Sequence, residues 1–389
     1  MSIIKKTKLS IIAPVDALLE ATAKLLLVVP AKSPKPVLSN IRFSVRNGIL
    51  ELTGTNAMVG IHYTIPAASV KSEGEGLLNG IKFIELLKEF RGTETKIDFS
   101  DRGGCRFKAK GGKYKVIGDD IRDYPKTPRF ETSKGLNILA SDLVVMIKKT
   151  IFASAPEESR LSINGILMEV EDDHLRLIAT DNKRMAINEY DIATNLDDFR
   201  VVVPSDFLRA ILKVTSRDIA DNIAVIGVSG KKVFYRLSGI TVYSATIQGV
   251  FPPYGEVLNF KLKHHIDCST KSLLHTLRRA MLINKDLIAF NFGQDILKLS
   301  AVSSLVGAGT TDMETNFTPP NGQEEIKIGF NPRYLRDALE VITTKRCRIL
   351  FEGPKNAAIL KELITNDDID SVFDQFTYTV MPALLPRES

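Results

Sequence analysis

Cysteine is scarce in this chain, and no long apolar run interrupts it. The three cysteines among 389 residues, Cys105, Cys268 and Cys347, lie far apart and form no CxxC or Cys/His cluster. That spacing argues against a zinc site or a disulfide scaffold and points to a reducing compartment. No segment approaches the roughly 18 uninterrupted apolar residues of a membrane span, and Met1 to Ser10 hold lysines but no apolar run of signal-peptide length. A cytoplasmic protein with no membrane partner is expected. Phosphate-binding loops are missing too: Gly74-Glu75-Gly76 and Gly307-Ala308-Gly309 lack dinucleotide and P-loop spacing. The histidines His62, His174, His264, His265 and His275 have no convincing nucleophile or carboxylate company, and the His264-His265 pair reads as linker. Neither catalysis nor a metal or cofactor is therefore expected, and a metal-dependent nuclease is the enzymatic rival.

What the chain does have is repetition at a period of about 125 residues. Asp16-Ala17-Leu18-Leu19, Ser141-Asp142-Leu143-Val144 and Lys271-Ser272-Leu273-Leu274 open three amphipathic helical stretches, with steps of 125 and 130 between Leu18, Leu143 and Leu273. Leu50-x-Leu52, Leu175-x-Leu177 and Leu297-x-Leu299 form a second set of anchors at steps of 125 and 122. Phe83, Phe207 and Tyr334 supply a third at 124 and 127. Three anchors in one order with nearly equal offsets imply three copies of one domain. A length of 389 residues also fits about three units of roughly 100–150 residues each.

Within each copy the pattern predicts a helix, a pair of strands, a second helix and further strands. Helical spacing runs over Pro14 to Val29, and alternation at Ile41, Phe43 and Val45 leads through Asn47-Gly48 into Leu50 and Leu52, a hairpin. The second copy repeats it with Ile166, Met168 and Val170 and a turn at Glu171-Asp172-Asp173. The third uses Ile288, Phe290 and Phe292 before Gly293-Gln294-Asp295. Second helices are expected at Ile81 to Phe90, Ser205 to Val214 and Pro332 to Ile342, capped by Asn79, Ser205 and Asn331. The class is α+β. Domains are placed at 1–130, 137–258 and 264–389, with linkers near 130–137 and 258–264.

A formal charge of +6 and a pI near 9.0 favour acidic partners such as nucleic acid. On the first helices, counting 100° per residue from Leu18, Leu143 and Leu273 puts Lys24, Lys149 and Arg279 at one equivalent outward position. A solvated face would also explain these cations, but their recurrence points to a shared role.

At these residues a resemblance emerges that covers the whole chain. Ser162-Ile163-Asn164-Gly165-Ile166-Leu167, leading to Ala179-Thr180-Asp181-Asn182-Lys183-Arg184-Met185-Ala186, resembles the second domain of the bacterial sliding-clamp family, the beta subunit of the replicative DNA polymerase. Pro36-Val37-Leu38-Ser39-Asn40, Phe251-Pro252-Pro253-Tyr254 and Tyr378-Thr379-Val380-Met381-Pro382 are similar to phrases of the same family. The resemblance implies three tandem clamp folds forming half of a closed ring, helices inside and sheets outside. It implies a non-catalytic processivity factor that encircles double-stranded DNA as a head-to-tail homodimer. Its further partners would be the DNA polymerase III alpha subunit, a clamp loader and other proteins carrying a clamp-binding motif.

Helix spacing supports two chains per ring. Six inner helices at roughly 10 Å would leave a hole of only about 10 Å, whereas twelve leave about 28 Å, wider than a duplex of roughly 20 Å. Closure must then be heterologous, first domain to third.

For DNA the resemblance and the helix count together nominate Lys24, Lys149 and Arg279, with Lys32 and Lys35 in a loop similar to the family's DNA-touching loop. For a peptide-binding pocket between the second and third domains, the resemblance implies Ile163, Thr180, Asn182, Lys183, Arg184, Met185, Pro252, Val257, Val380, Met381 and Pro382. Asn182-Lys183 stands where Gly-His is familiar, Met185 replaces a leucine, and Glu256 sits where a basic residue is often found. For the dimer contact the resemblance implies Lys113, Tyr114 and Lys115 in one chain and Met281, Leu282, Asp312 and Glu314 in the other. Protection of an edge strand would equally account for the lysines. The alternative function is an open scaffold that binds DNA without sequence preference.

Overall fold

A computed structural model of the chain describes residues 7–66, 69–100, 104–131, 135–155, 165–192, 198–255, 262–320, 324–366 and 369–386. By contact density the chain divides into two compact units, residues 1–144 with 206–246, and residues 145–205 with 247–389. The division cuts through the middle sequence repeat, because its strands are shared between two large sheets.

The first unit contains a five-stranded sheet and an eight-stranded sheet. The smaller orders as β5 (Ser69–Ser72), β1 (Thr7–Pro14), β7 (Glu94–Ser100), β8 (Gly104–Ala109) and β9 (Gly112–Ile117). The larger orders as β10 (Leu136–Leu139), β15 (Ile223–Ser229), β16 (Lys232–Leu237), β17 (Ile240–Ala245), β4 (Val59–Pro66), β3 (Ile49–Thr55), β2 (Asn40–Arg46) and β6 (Gly74–Asn79). Helix α1 (Val15–Leu25) buries Val15, Leu18, Ala21, Thr22 and Leu25, the one-faced stripe that 3.6-residue periodicity demands, and packs on α2 (Gly80–Lys88). The Asn79 side chain accepts from the Lys82 amide at 3.1 Å and so caps α2. Phe43 sits between Phe83 and Phe99 with ring centroids 5.2 Å away on each side, joining strand, helix and the second sheet in one core.

The second unit contains an eight-stranded sheet ordered β14 (Phe199–Pro204), β11 (Gly165–Glu171), β12 (His174–Thr180), β13 (Arg184–Asp191), β25 (Ile369–Val380), β24 (Ala358–Asn366), β23 (Arg346–Phe351) and β18 (His264–Ser269). Its four-stranded sheet orders as β21 (Gly307–Glu314), β20 (Ile296–Ser303), β19 (Ile288–Gly293) and β22 (Glu325–Phe330). Helices α3 (Ala140–Ile151) and α4 (Ser205–Val214) belong to the middle repeat, and α5 (Thr270–Ala280) and α6 (Pro332–Leu339) to the last. Asn331 caps α6 by accepting from the Arg333 amide, with Pro332 in the first turn. Ser205, read as a cap, is instead the first residue of α4, and its hydroxyl donates to that of Ser154 at 3.2 Å. Phe292 stacks on Phe351 at 3.9 Å, with Phe317 closing the cluster.

The hairpins follow their turn residues. Asn47 (φ 52°) and Gly48 (φ 75°) occupy the left-handed region between β2 and β3, as do Asp172 (φ 50°) and Asp173 (φ 61°) between β11 and β12. A two-residue turn of this kind matches the right-handed strand twist, and Asn, Asp and Gly tolerate the positive φ it needs. Strands begin close to where the two linkers were placed to end, and the reading of His264-His265 as linker is corrected. Leu136 already begins β10, paired with Ile226, and Phe130 stacks on Phe234 at 4.9 Å. His264 and His265 open β18 opposite Phe351 and Leu350, where the apolar environment of Phe317 and Phe351 holds the His264 ring.

Two junctions use one pairing rule. In the larger sheet of the first unit, β4 of the first repeat pairs antiparallel with β17 of the second, from Ile240↔Tyr63 to Ser244↔Val59. In that of the second unit, β13 of the second repeat pairs antiparallel with β25 of the third, from Arg184↔Val380 to Asn188↔Phe376. Gly60 is required at the first junction because its register partner Tyr243 lays its ring where any side chain would stand. Gly60→Ala should therefore destabilise the protein by about 1–3 kcal/mol, read as a lowered urea midpoint with an unchanged m-value.

Candidate functional site

The second unit carries a cavity of about 500 Å³ lined by residues of the β12–β13 turn, the Pro252 segment, the β23–β24 connection and the end of β25. The turn builds itself from short polar side chains. Asn182 takes φ 68°, which asparagine accepts more readily than a branched residue. Thr180 Oγ1 accepts from the Asn182 amide at 3.1 Å and donates to the Arg184 carbonyl at 2.8 Å, while Asp181 Oδ1 accepts from the Lys183 and Arg184 amides at 3.0 and 3.1 Å. The Met381 amide donates to the Lys183 carbonyl at 2.9 Å and ties the chain's final strand to the turn. Beneath lies a buried cluster of Leu167, Ile178, Met185, Ile187, Val202, Phe251 and Tyr254.

Arg184 is the fixed charge of this wall. Its guanidinium donates to Asp181 Oδ2 at 3.0 Å, Asp337 Oδ2 at 2.8 Å and the Phe152 carbonyl at 2.8 Å, and it lies 4.4 Å from the Tyr334 ring centroid. Each of its three nitrogens thereby donates to a partner within the protein. Burial pushes the Tyr378 phenol well above its ordinary value, although Arg184 opposes the shift, and its hydroxyl donates to the Tyr334 carbonyl at 2.8 Å. Burial, helped by a hydrogen bond to Glu169, pushes Tyr254 up to about 12. Both phenols stay neutral near neutral pH, so the cavity offers an apolar floor with a few oriented polar groups.

Of the residues nominated for this site, Thr180, Asn182, Lys183, Arg184, Met185, Pro252 and Met381 line the cavity. Val380 does not: it is 1% exposed, because alternation along β25 turns Thr379 and Met381 toward the opening and Val380 away from it. Pro382 lies just past the strand and is not among the lining residues. Ile163, Val257 and Glu256 fall outside the described residues. Leu262, Lys355, Asn356, Ala357 and Thr379 complete the lining and were not foreseen. The strand period predicted Thr379 once Met381 was chosen, but the residues between β23 and β24 reach the cavity only through tertiary contact.

The nominated cations divide. Lys32 and Lys35 are exposed on the loop after α1, and Arg279 is exposed on α5 with a hydrogen bond to Thr276 at 3.2 Å. Lys24 is half-buried, paired with Glu20 at 3.0 Å and lying over the Tyr63 ring. Lys149 corrects the helix count: it is 4% exposed, its Nζ donating to Glu362 Oε2 at 2.5 Å and resting over the Phe376 ring. Glu362 is itself fully buried on β24, its other oxygen accepting from the Thr343 amide at 3.0 Å. A buried carboxylate needs a compensating charge, and that need draws Lys149 inward. Its neighbour Lys148 is exposed.

The nominated contact residues sit on two sheet edges. Lys113, Tyr114 and Lys115 are exposed on β9, the terminal strand of the five-stranded sheet. Asp312 and Glu314 are exposed on β21, the terminal strand of the four-stranded sheet. Leu282 is 76% exposed, whereas Met281, at the C-cap of α5, is 8% exposed and serves the core. Among the histidines His174 does find a carboxylate, Asp191 at 2.9 Å across the β12–β13 ladder, as an exposed cross-strand pair.

The buried pair gives a measurable consequence. Lys149→Met should cost about 3–5 kcal/mol by leaving Glu362 buried and uncompensated, whereas Lys149→Met with Glu362→Leu should recover most of that loss in urea unfolding.

Comparison with known proteins identifies the family and the fold. Models of the DNA polymerase III beta subunit match in order: its N-terminal domain over residues 9–128, its central domain over 137–253 and its C-terminal domain over 256–382. A protein of Halalkalibacterium halodurans named beta sliding clamp is 24% identical, covering 85% of this chain and 90% of the relative. One of Rickettsia bellii with the same name is 23% identical, covering 91% and 96%. The crystal structure of the DNA polymerase III subunit beta from Pseudomonas aeruginosa superposes with a TM-score of 0.87 at 24% identity, over 97% of this chain and 100% of that one. That of the Bacillus subtilis sliding clamp does so with a TM-score of 0.88 at 20% identity, over 98% and 100%. With three domain models matched in chain order and the three-domain clamp fold present, this chain belongs to the DNA polymerase III beta subunit family, the beta sliding clamps.

Proposed function

We propose that two copies of this chain close head to tail into a ring around duplex DNA, and that the ring tethers the replicative polymerase and other DNA-processing proteins through a peptide held in the cavity at Thr180–Met185. The single observation that carries the ring is the pairing rule of the sheets. β4 and β13 occupy equivalent places in the first and second repeats, and each pairs with the last strand of the following repeat, β17 and β25. The third member of the first series is β21, and the first-repeat member of the second series is β9. Both end their sheets without a further partner strand among the described residues. Placing β21 beside β9 of a second copy, and β9 beside its β21, satisfies both edges by a contact the fold already makes twice.

Charge favours the same match. Lys113 and Lys115 on β9 would face Asp312 and Glu314 on β21, and complementary charges select register and partner. Such a contact is heterologous, and two copies close it. Inside the ring, Lys24, Lys32, Lys35, Lys148 and Arg279 would attract phosphates without reading bases, so the ring slides and retention is topological. Lys149 has no part in that lining, being committed to Glu362. The cavity suits an extended peptide with apolar anchors: Met185, Pro252, Leu262, Ala357 and Met381 receive them, and Thr180, Asn182 and Lys355 fix direction. A Pseudomonas aeruginosa clamp has been solved bound to griselimycin. The function needs no catalytic group, and the chain works by enclosure and tethering.

Sedimentation should return a mass near twice 43.1 kDa. Lys113→Glu with Lys115→Glu should weaken association by at least about tenfold, and Asp312→Lys with Glu314→Lys on the opposing copy should restore it. A species of 43.1 kDa at micromolar concentration would favour the open scaffold. The loaded ring should stay on a nicked circular duplex and run off once the circle is cut, whereas an open scaffold binds both forms equally. Met185→Ala with Met381→Ala should reduce affinity for a polymerase-derived peptide by about tenfold or more, measured by fluorescence anisotropy, without altering the sedimenting mass.

A further inference from the structure

The larger sheet of the first unit carries on one face a polar row that the clamp function does not use. Register places Arg42 of β2 opposite Thr53 of β3, Thr53 opposite His62 of β4, His62 opposite Thr241 of β17, and Thr241 opposite Arg236 of β16. Five adjacent strands thus present one continuous line of polar side chains with a guanidinium at each end. The segment Ile121–Phe130 walls this line and encloses a cleft of about 680 Å³.

Cations outnumber carboxylates in the cleft. Arg42 and Arg46 share one carboxylate, Glu75, at 2.7 and 2.8 Å. Lys126, Arg129 and Arg236 also line it, and none has a carboxylate partner among the described residues. The Arg42 Nε is buried and makes no hydrogen bond. A buried donor of that kind loses its water without compensation unless an acceptor arrives. His62 hydrogen-bonds Thr53 at 3.2 Å and has Glu51 3.7 Å away. Burial holds its imidazole below the ordinary value even though Glu51 acts against this, and Arg236 and Arg42 add to the lowering. At neutral pH His62 is therefore a neutral donor or acceptor between two guanidinium groups.

We propose that this cleft is a ligand site for a small phosphate-bearing anion, of the size of a nucleotide or a short inorganic polyphosphate. Guanidinium forks match the oxygens of phosphate in geometry, and a dianionic group answers the surplus of cations better than a second carboxylate beside Glu75. The volume is that of a small-molecule site. Phe130, held flat against Phe234, and Pro128 give one end an apolar plate on which a base can rest.

Isothermal titration of the full chain at about 0.15 M salt with tripolyphosphate, a deoxynucleoside triphosphate, a twenty-residue oligothymidylate and a polyglutamate peptide tests the assignment. Tripolyphosphate or the nucleotide should bind, and Arg129→Ala with Arg236→Ala should lower that affinity by at least about tenfold while leaving the thermal midpoint unchanged. Lys88→Ala, an exposed cation on α2, should leave the affinity unaltered. Equal binding of the two small ligands supports an anion site, and tighter binding of the nucleotide supports one that also seats a base. The proposal is overturned if neither small ligand binds at millimolar concentration, if the double variant binds them as well as the parent chain, or if only the oligothymidylate or the peptide binds.

Discussion

An unfinished sheet edge is the constraint on which this molecule turns. Every terminal strand leaves a row of backbone N–H and C=O groups that must meet water, a side chain or another strand. The chain meets that demand twice by running a strand of one repeat alongside the last strand of the next, at β4–β17 and β13–β25. Two large sheets result, each drawing strands from two repeats. The middle repeat contributes to both, which is why compact units and sequence repeats do not share boundaries. Among the terminal strands, β9 and β21 are of the same two kinds and carry opposite charges.

The cavity at the β12–β13 turn depends on the same continuity. Because β25 pairs with β13, Met381 is delivered to Lys183 and Thr379 to the side of Met185. Arg184 then clamps the turn to Asp337 and Phe152. The apolar surface stays open, while the Arg184 guanidinium and the Asp181 carboxylate are turned to partners inside the protein and the exposed Lys183 and Lys355 remain at the lining. Rigid backbone geometry at the turn is thus combined with the adaptable side chains of Met185 and Met381.

Much of this was legible in the residues. Helical and alternating periodicities located the paired strands and both kinds of helix, and Asn47-Gly48 and Asp172-Asp173 marked turns whose positive φ the structure shows. Local chemistry could be read because local sequence decides it. Errors arose where a distant residue intervened. Helix periodicity set Lys149 outward, yet a fully buried carboxylate from a strand more than two hundred residues later draws it in. Met281 was taken for surface although it fills the end of α5, and His264 for linker although β23 pairs with it. Val380 was placed in the cavity with its neighbours, but one strand position reverses a side chain's face.

The amino-acid sequence alone determined the threefold duplication, the α+β class, the hairpin turns, the helix caps at Asn79 and Asn331, and the absence of metal-ligand spacing. Each depends on residues within a few positions of one another or on comparing the chain with itself. Tertiary structure decided which strand edges are joined and which stay open, which cations are free, and which side chains from distant segments line one cavity. The physical reason is that burial and pairing belong to the whole packed chain: Lys149 is a surface lysine by its helix and a core residue by its partner Glu362.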